Sequence, residues 1–355
     1  MAPSPGPACG LGIIAGVVPA SGTGPLPPLP KAELHVHIEG TLEPELALEL
    51  AARNRVTLPY ADAESLRSRY RFTDLQSFLD VYYATMAVLR SEQDFADLAA
   101  AYLERASAQG VRHAEIFFDA QAHTERGVSM ATIVDGLWSV LGTSRKSHGV
   151  STGLILCFLR DRSAASAMRT LESALPYGDR IIAVGLDSAE VGNPPSMFAG
   201  VFDRARSEGL RCVAHAGEEG PPAYIWESLD LLKAARIDHG VRCMEDARLV
   251  ARLRDERVPL TVCPLSNVRL GVVGRIEEHC LPAMLEAGLL ATVNSDDPAY
   301  FGGYIDDNYR LLERALGFGR SQLVTLAENS FRAAFLDADQ RDGYLRELRE
   351  LSIAG

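Results

Sequence analysis

The sequence predicts a single (β/α)8 barrel, a TIM barrel with extra helices inserted after strand one and at the C-terminus, on three observations. Short apolar runs recur eight times along the chain, longer amphipathic stretches separate them, and the residues able to do chemistry stand where those runs end. Alternating strands and helices imply right-handed parallel units, and eight such units suggest a closed barrel. An open, doubly wound sheet is the alternative, because a strand count alone does not establish closure.

The first strand is expected over Ala32 to Ile38. A long interval follows, Gly40 to Val111, patterned for about three helices and read as an insertion over the barrel mouth. The remaining strands are expected at Arg112 to Phe118, Ser151 to Leu159, Ile181 to Leu186, Arg211 to Ala216, Arg236 to His239, Leu260 to Cys263 and Leu289 to Asn294. Between the fifth and sixth lies "PPAYIWESLDLLKAA". There Ile225, Leu229 and Leu232 fall at i, i+4 and i+7, and Pro221 and Pro222 set the helix start.

Residues 1–30 are rich in Pro and Gly and are expected to be a disordered leader, with residues 31–355 forming one metal-dependent domain. The apolar segment Leu11 to Ala20 has no Lys or Arg before it, so it lacks the charged start of an export signal. No run approaches the ~18 apolar residues of a membrane helix. A net charge of −12, with lysine only at 31, 146 and 233, argues against nucleic acid as a partner and leaves a small molecule as the expected one. Six cysteines, at 9, 157, 212, 243, 263 and 280, are scattered without paired spacing. They read as reduced thiols in a cytoplasmic protein.

In "KAELHVHIEGTLEP" two histidines, His35 and His37, stand two apart in an apolar run. Side chains at i and i+2 of a strand share one face, which makes a chelating edge. Glu190 follows the fourth strand, His215 ends the fifth, His239 ends the sixth, and Asp296 and Asp297 follow the eighth. All are C-terminal strand ends, the face on which barrel enzymes place their active sites. Three imidazoles and a carboxylate suit Zn2+, with Fe2+ or Mn2+ as alternatives. Glu218, three residues beyond His215 in "CVAHAGEEGPP", is placed to move protons beside a metal-held water. Glu219 reads as a solvated loop acid, and His113, His123, His148 and His279 as structural.

Five motifs in order, "HVHIEG", "HAGEEG", "IDHGVRC", "CPLSNV" and "VNSDDPAYFGGY", resemble the adenosine and adenine deaminase family of the amidohydrolase superfamily, over nearly all the chain from about residue 30. The resemblance implies one Zn2+ held by His35, His37, His215 and Asp296. It implies Glu218 as proton donor to the purine N1, His239 as the group that orients and deprotonates the metal water, and Asp297 as a partner of N7. Related barrels that bridge a second metal use a lysine at the end of strand four, and "RIIAVGLDSAE" has none. The reaction implied is hydrolytic deamination of a 6-aminopurine.

Within the family the sequence is similar to the adenine deaminase branch. Enzymes acting on adenosine carry "HLDG", whose aspartate meets the ribose 5′-hydroxyl, where this chain has "HIEG" with Glu39. Ser188, beside Asp187 in "GLDSAE", replaces a glycine near N3, and "FFDAQAHTERG" also follows the adenine branch. Asp187, Ser188 and Glu39 are therefore expected to bind substrate, with Glu39 excluding ribose. Adenosine, or another 6-aminopurine such as an N6-substituted adenine, is the alternative substrate.

Overall fold

The computed structural model describes residues 29–353. Eight strands pair in parallel in chain order: β1 (Lys31–His37), β2 (Val111–Phe118), β3 (Ser151–Leu159), β4 (Ile181–Asp187), β5 (Arg211–Ala216), β6 (Arg236–His239), β7 (Pro259–Val262) and β8 (Leu290–Val293). A doubly wound sheet would reverse its order at a switch point, and this one does not. The seam between β8 and β1 closes just past the end of β8. Asp296 bridges Val36, its N–H donates to the His35 carbonyl at 3.0 Å, and its carbonyl accepts from the His37 N–H at 3.0 Å. Barrel closure thus sets Asp296 against both histidines of β1.

The strands form because their residues are buried on both sides, so they read as near-continuous apolar runs. Inside the barrel Phe117, Ile155, Cys157, Ala183 and Val213 make a small interior core. The rings of His35, His37 and His215 stand within 5.1, 5.0 and 5.6 Å of Phe117, which acts as their floor. Towards the opposite end of the strands, Arg236 on β6 donates to Glu115 on β2 at 2.5 Å and to the Leu34 carbonyl at 3.1 Å, both partners fully buried.

The interval after β1 holds four α-helices rather than about three: α1 (Pro44–Asn54), α2 (Ala63–Arg67), α3 (Leu75–Thr85) and α4 (Glu92–Ala108). The additional one is five residues long, too short to show a helical period. It is nucleated by a capping box in which Asp62 and Ser65 satisfy each other's backbone N–H groups. α4 packs on β2 as the barrel's own outer helix, while α3 crosses the mouth. The helix expected through "PPAYIWESLDLLKAA" ends at Asp230, and Lys233 has a φ of 55° as the chain turns into β6.

After β8 a short helix, Pro298–Phe301, and the helices Ile305–Leu316, Arg320–Ala333 and Ala338–Ile353 complete the described residues, and Ser330 accepts from the Ala32 N–H at 2.8 Å, fixing its helix beside the seam. Residues 1–28 of the expected leader lie outside the described residues. Its last two, Leu29 and Pro30, are buried, Leu29 within the main core, so packing begins before residue 31. Among the described residues five cysteines are free, and no helix is long and apolar enough to cross a membrane.

Candidate active site

Four atoms converge at the C-terminal rim. His35 Nε2 lies 3.1 Å from Asp296 Oδ1, His37 Nε2 lies 3.6 Å from the same oxygen, and His37 Nε2 lies 3.2 Å from His215 Nε2. Ligands held tetrahedrally at ~2.0–2.2 Å from a metal are roughly 3.3–3.5 Å apart, so the spacing fits one ion.

The hydrogen bonds behind the rings fit it too. Thr261 uses its hydroxyl hydrogen on Asp238 Oδ1 at 2.8 Å, so at 3.0 Å it accepts from His35 Nδ1–H. In the neutral ring, the form that binds a metal, His35 Nε2 is then a bare lone pair facing a carboxylate oxygen, with no hydrogen-bond partner among the described residues. Two acceptors face to face call for a cation between them. Carboxylates also stand behind the other two rings: Asp187 Oδ2 is 3.6 Å from His37 Nδ1, and Asp238 Oδ2 is 3.7 Å from His215 Nδ1. Such backing orients metal-binding imidazoles and raises their basicity.

His239 is the other contender for the ion, since His35, His215, His239 and Asp296 offer atoms within 4.8 Å of one another. Its hydrogen bonds assign it otherwise. The Leu281 N–H donates to His279 Nδ1 at 3.0 Å, His279 Nε2–H donates to Asn267 Oδ1 at 3.1 Å, and Asn267 Nδ2 donates to His239 Nδ1 at 3.4 Å. In the neutral ring the proton of His239 therefore sits on Nε2, which faces Glu218 Oε2 at 3.5 Å and Asp296 Oδ2 at 3.7 Å. Burial lowers His239 to about 3, keeping it neutral. His279, read as structural from the sequence, sets this tautomer.

Burial, followed by the charges of Asp296 and Glu190, pushes the Glu218 carboxyl well above the usual carboxylate range, toward the protonated form. Burial and Asp296 do the same to Asp297. Three of the site's residues hold backbone that side chains rarely adopt, with φ of 71° at Ser188, 62° at His239 and 65° at Asp296. Each turns a strand end towards the centre, and such strain concentrates at functional sites. Gly40 is needed for a related reason: a Cβ there would lie 2.1 Å from Asp297 Oδ1.

A small cavity opens onto these groups. Its chemical wall includes His37, His215, Glu218, His239, Asp296 and Asp297, and α3 roofs it with Leu75, Phe78 and Leu79. Asp187 and Ser188 line it, and Tyr83 donates to Ser188 Oγ at 3.0 Å. Glu39 does not. Its carboxylate turns under the wall and accepts from His123 Nε2 at 2.8 Å and from the Asp119 N–H at 3.1 Å, so it is not placed to meet substrate directly. The carboxylate on that wall is Asp119, whose Oδ2 accepts from Tyr82 at 3.3 Å and whose Oδ1 has no partner among the described residues. The signal for Asp119 was present, an acid directly after the apolar end of β2. Tyr82 and Tyr83 had none, since α3 meets the site only in three dimensions.

A parallel barrel with three imidazoles and a carboxylate converging at its C-terminal rim defines a metal-dependent hydrolase. The model of the family described as adenosine deaminase matches residues 30–351, and the chain belongs to that family. It is 66% identical over 325 residues to an adenine deaminase of Streptomyces coelicolor, covering 91% of this chain and 96% of that one. It is 54% identical over 323 residues to an adenine deaminase of Acinetobacter baylyi, covering 91% and 97%. The crystal structure of an adenine deaminase from Arthrobacter aurescens superposes with a TM-score of 0.90 at 58% identity, covering 91% of this chain and 98% of that one. An amidohydrolase of Burkholderia ambifaria, solved with bound Zn, superposes with a TM-score of 0.84 at 25% identity, each chain being covered to 92%.

Proposed function

We propose that this protein is an adenine deaminase, converting adenine and water to hypoxanthine and ammonia. The observation that carries the reading is its 66% identity, across the whole barrel, to a protein of that name. Its chemical set in one cavity agrees. The free base fits this reading, because purines without a sugar carry a ring N–H and Asp119, beside the Asp187 carboxyl on the cavity wall, keeps an oxygen that no N–H or hydroxyl of the described residues meets.

His35, His37, His215 and Asp296 would hold one divalent ion, and this donor set suits Zn2+, with Fe2+ or Mn2+ as alternatives. When bound, the ion supplies Lewis acidity that makes a coordinated water acidic near neutral pH. The residues of the chain do the rest. His239 orients the attacking water by donating from Nε2–H, a revision of the proton-accepting role expected for it. Glu218 Oε2, 3.5 Å from that nitrogen, belongs to the proton donor, so the water's proton goes to Asp296 Oδ2 at 3.7 Å. Glu218 gives its proton to N1 as attack at C6 builds electron density there, and Asp297 meets N7; the amino group then takes up the proton that the water released and leaves as ammonia as the C6–N bond breaks, and the C6 hydroxyl returns a proton to Glu218 as the carbonyl forms. Burial raises the Glu218 carboxyl well above the usual carboxylate range, toward the protonated form the task needs. A single domain over residues 31–355, cytoplasmic and acting on a small purine, completes the reading.

The test is steady-state ammonia release across adenine, adenosine, AMP and N6-substituted adenines, with Glu218→Gln alongside. Adenine should give the highest kcat/KM, and the variant should keep its metal while kcat falls by about 10² to 10⁴-fold. A panel led by any other compound replaces adenine as substrate, and a variant keeping more than about a tenth of the wild-type kcat removes Glu218 as the acid.

A further inference from the structure

Glu190, three residues past the end of β4, is buried but does not line the cavity. Its carboxylate accepts four successive backbone N–H groups. Gly217 donates to Oε1 at 2.7 Å, and Glu218, Glu219 and Gly220 donate to Oε2 at 3.1, 2.8 and 2.7 Å. These four residues are the turn after β5, and one of them is Glu218. The turn is shaped to wrap the carboxylate: Gly217 has a φ of 69°, and a Cβ on Gly220 would meet Glu190 Oε1 at 2.5 Å.

Bonds to an ionised acceptor are roughly twice as strong as neutral ones, so this carboxylate fixes the turn far more firmly than its own backbone would. Arg160, just past β3, locks the same region from the other side. It donates to the His215 carbonyl at 2.7 Å and the Asn193 carbonyl at 2.9 Å, and Glu190 is the foremost of the nearby anions that favour its charge. The ends of β3, β4 and β5 are thereby joined through two buried charges.

We infer that Glu190 is a positioning residue for proton transfer: by gripping the Gly217–Gly220 backbone it sets where the Glu218 carboxyl meets the substrate. The inference rests on the reading of Glu218 as proton donor. A residue that only supported the fold would act whether or not Glu218 could donate, whereas a positioning residue acts only through it.

The experiment is a double-mutant cycle of Glu190→Gln and Glu218→Gln on the metal-loaded full chain, measuring kcat, KM for adenine and metal content. Glu190→Gln keeps the shape, removes the charge and sets an amide N–H2 against a main-chain donor. In the wild-type background it should lower kcat at least about tenfold, with KM and one equivalent of metal retained. In the Glu218→Gln background it should cost no more than about twofold. Equal losses in both backgrounds, an unchanged kcat in Glu190→Gln, or loss of metal overturns the proposal. Should Glu190→Gln not fold, Glu190→Asp, which keeps the charge and draws it back one methylene, takes its place with the same outcomes. Fast turnover in Glu218→Gln alone overturns instead the reading of Glu218, and this proposal with it.

Discussion

His123 Nε2 donates to Glu39 Oε1 at 2.8 Å in the layer beneath the cavity wall. The tautomer is set from behind, because Arg126 donates to His123 Nδ1 at 2.9 Å. Burial lowers His123 to about 3 and raises Glu39 to about 7. Glu39 has the reach to cross from β1 to this histidine and to the Asp119 N–H, and that reach is what its extra methylene supplies over aspartate.

Glu39→Asp should therefore act through the support of Asp119. Retracting the carboxylate strands two buried donors at about 1–3 kcal/mol each. The variant should melt several degrees lower and lose several-fold in kcat/KM for adenine, without gaining turnover of adenosine. Calorimetry and ammonia release on both compounds check it. Adenosine rising to match adenine would mean that Glu39 itself bars the sugar.

For the metal set, His215→Ala and Asp296→Ala should each lose both bound metal and turnover, since affinity collapses when one of four ligands goes. A chelator should lower the wild-type melting temperature, because the ion binds only the folded chain, and should leave that of Asp296→Ala unmoved. One full equivalent of metal with normal activity in either variant removes that residue from the set.

The barrel and its rim were legible because buried parallel strands are apolar runs that stop at a polar residue, and the stops are the site. His35, His37, His215, His239 and Asp296 all announce themselves this way. Spacing cannot report the direction of a side chain: Glu39 sits at its expected place in the chain and faces the other way. Nor can it report a third partner. The Leu281, His279, Asn267 and His239 relay joins residues whose meeting depends on how β6 and the segment after β7 pack. α2, with five residues and no period, stayed invisible for lack of length.

Glu115 offers a pH prediction remote from the metal. Burial, the largest single influence, would raise its carboxyl, but Arg236 and His113 together outweigh it and hold Glu115 at about 2 against an ordinary 4.5. A carboxyl lower in the folded than in the unfolded state contributes stability above 4.5 and loses it as pH falls from 4.5 toward 2. The contribution is about 3 kcal/mol. Glu115→Gln takes from buried Arg236 its nearest anion and leaves it only Asp238 at 3.6 Å and the Leu34 carbonyl, which should cost up to about 3–5 kcal/mol at neutral pH. That deficit should shrink between pH 4.5 and 3. A deficit constant across this range in urea unfolding would show that Glu115 does not carry it.

Substrate choice turns on Asp119. Asp119 lines the cavity beside the Asp187 carboxyl; its Oδ2 is taken by Tyr82 at 3.3 Å, and no N–H or hydroxyl of the described residues meets its buried Oδ1. Adenine brings one, the N9–H, where adenosine has a sugar carbon. A buried acceptor left unsatisfied by the wrong substrate can discriminate by 10⁴ or more, so adenine should exceed adenosine in kcat/KM by at least about 10²-fold. Asp119→Asn presents an amide that can turn N–H2 to the ring, and should lower kcat/KM for adenine about 10 to 100-fold. 9-Methyladenine separates this contact from a general disturbance of the wall: it keeps the reacting edge and lacks the donor. It should be a poor substrate of the wild type and should lose little further in Asp119→Asn. Equal losses for adenine and 9-methyladenine, or wild-type turnover of 9-methyladenine as fast as that of adenine, would place the source of specificity elsewhere on the wall.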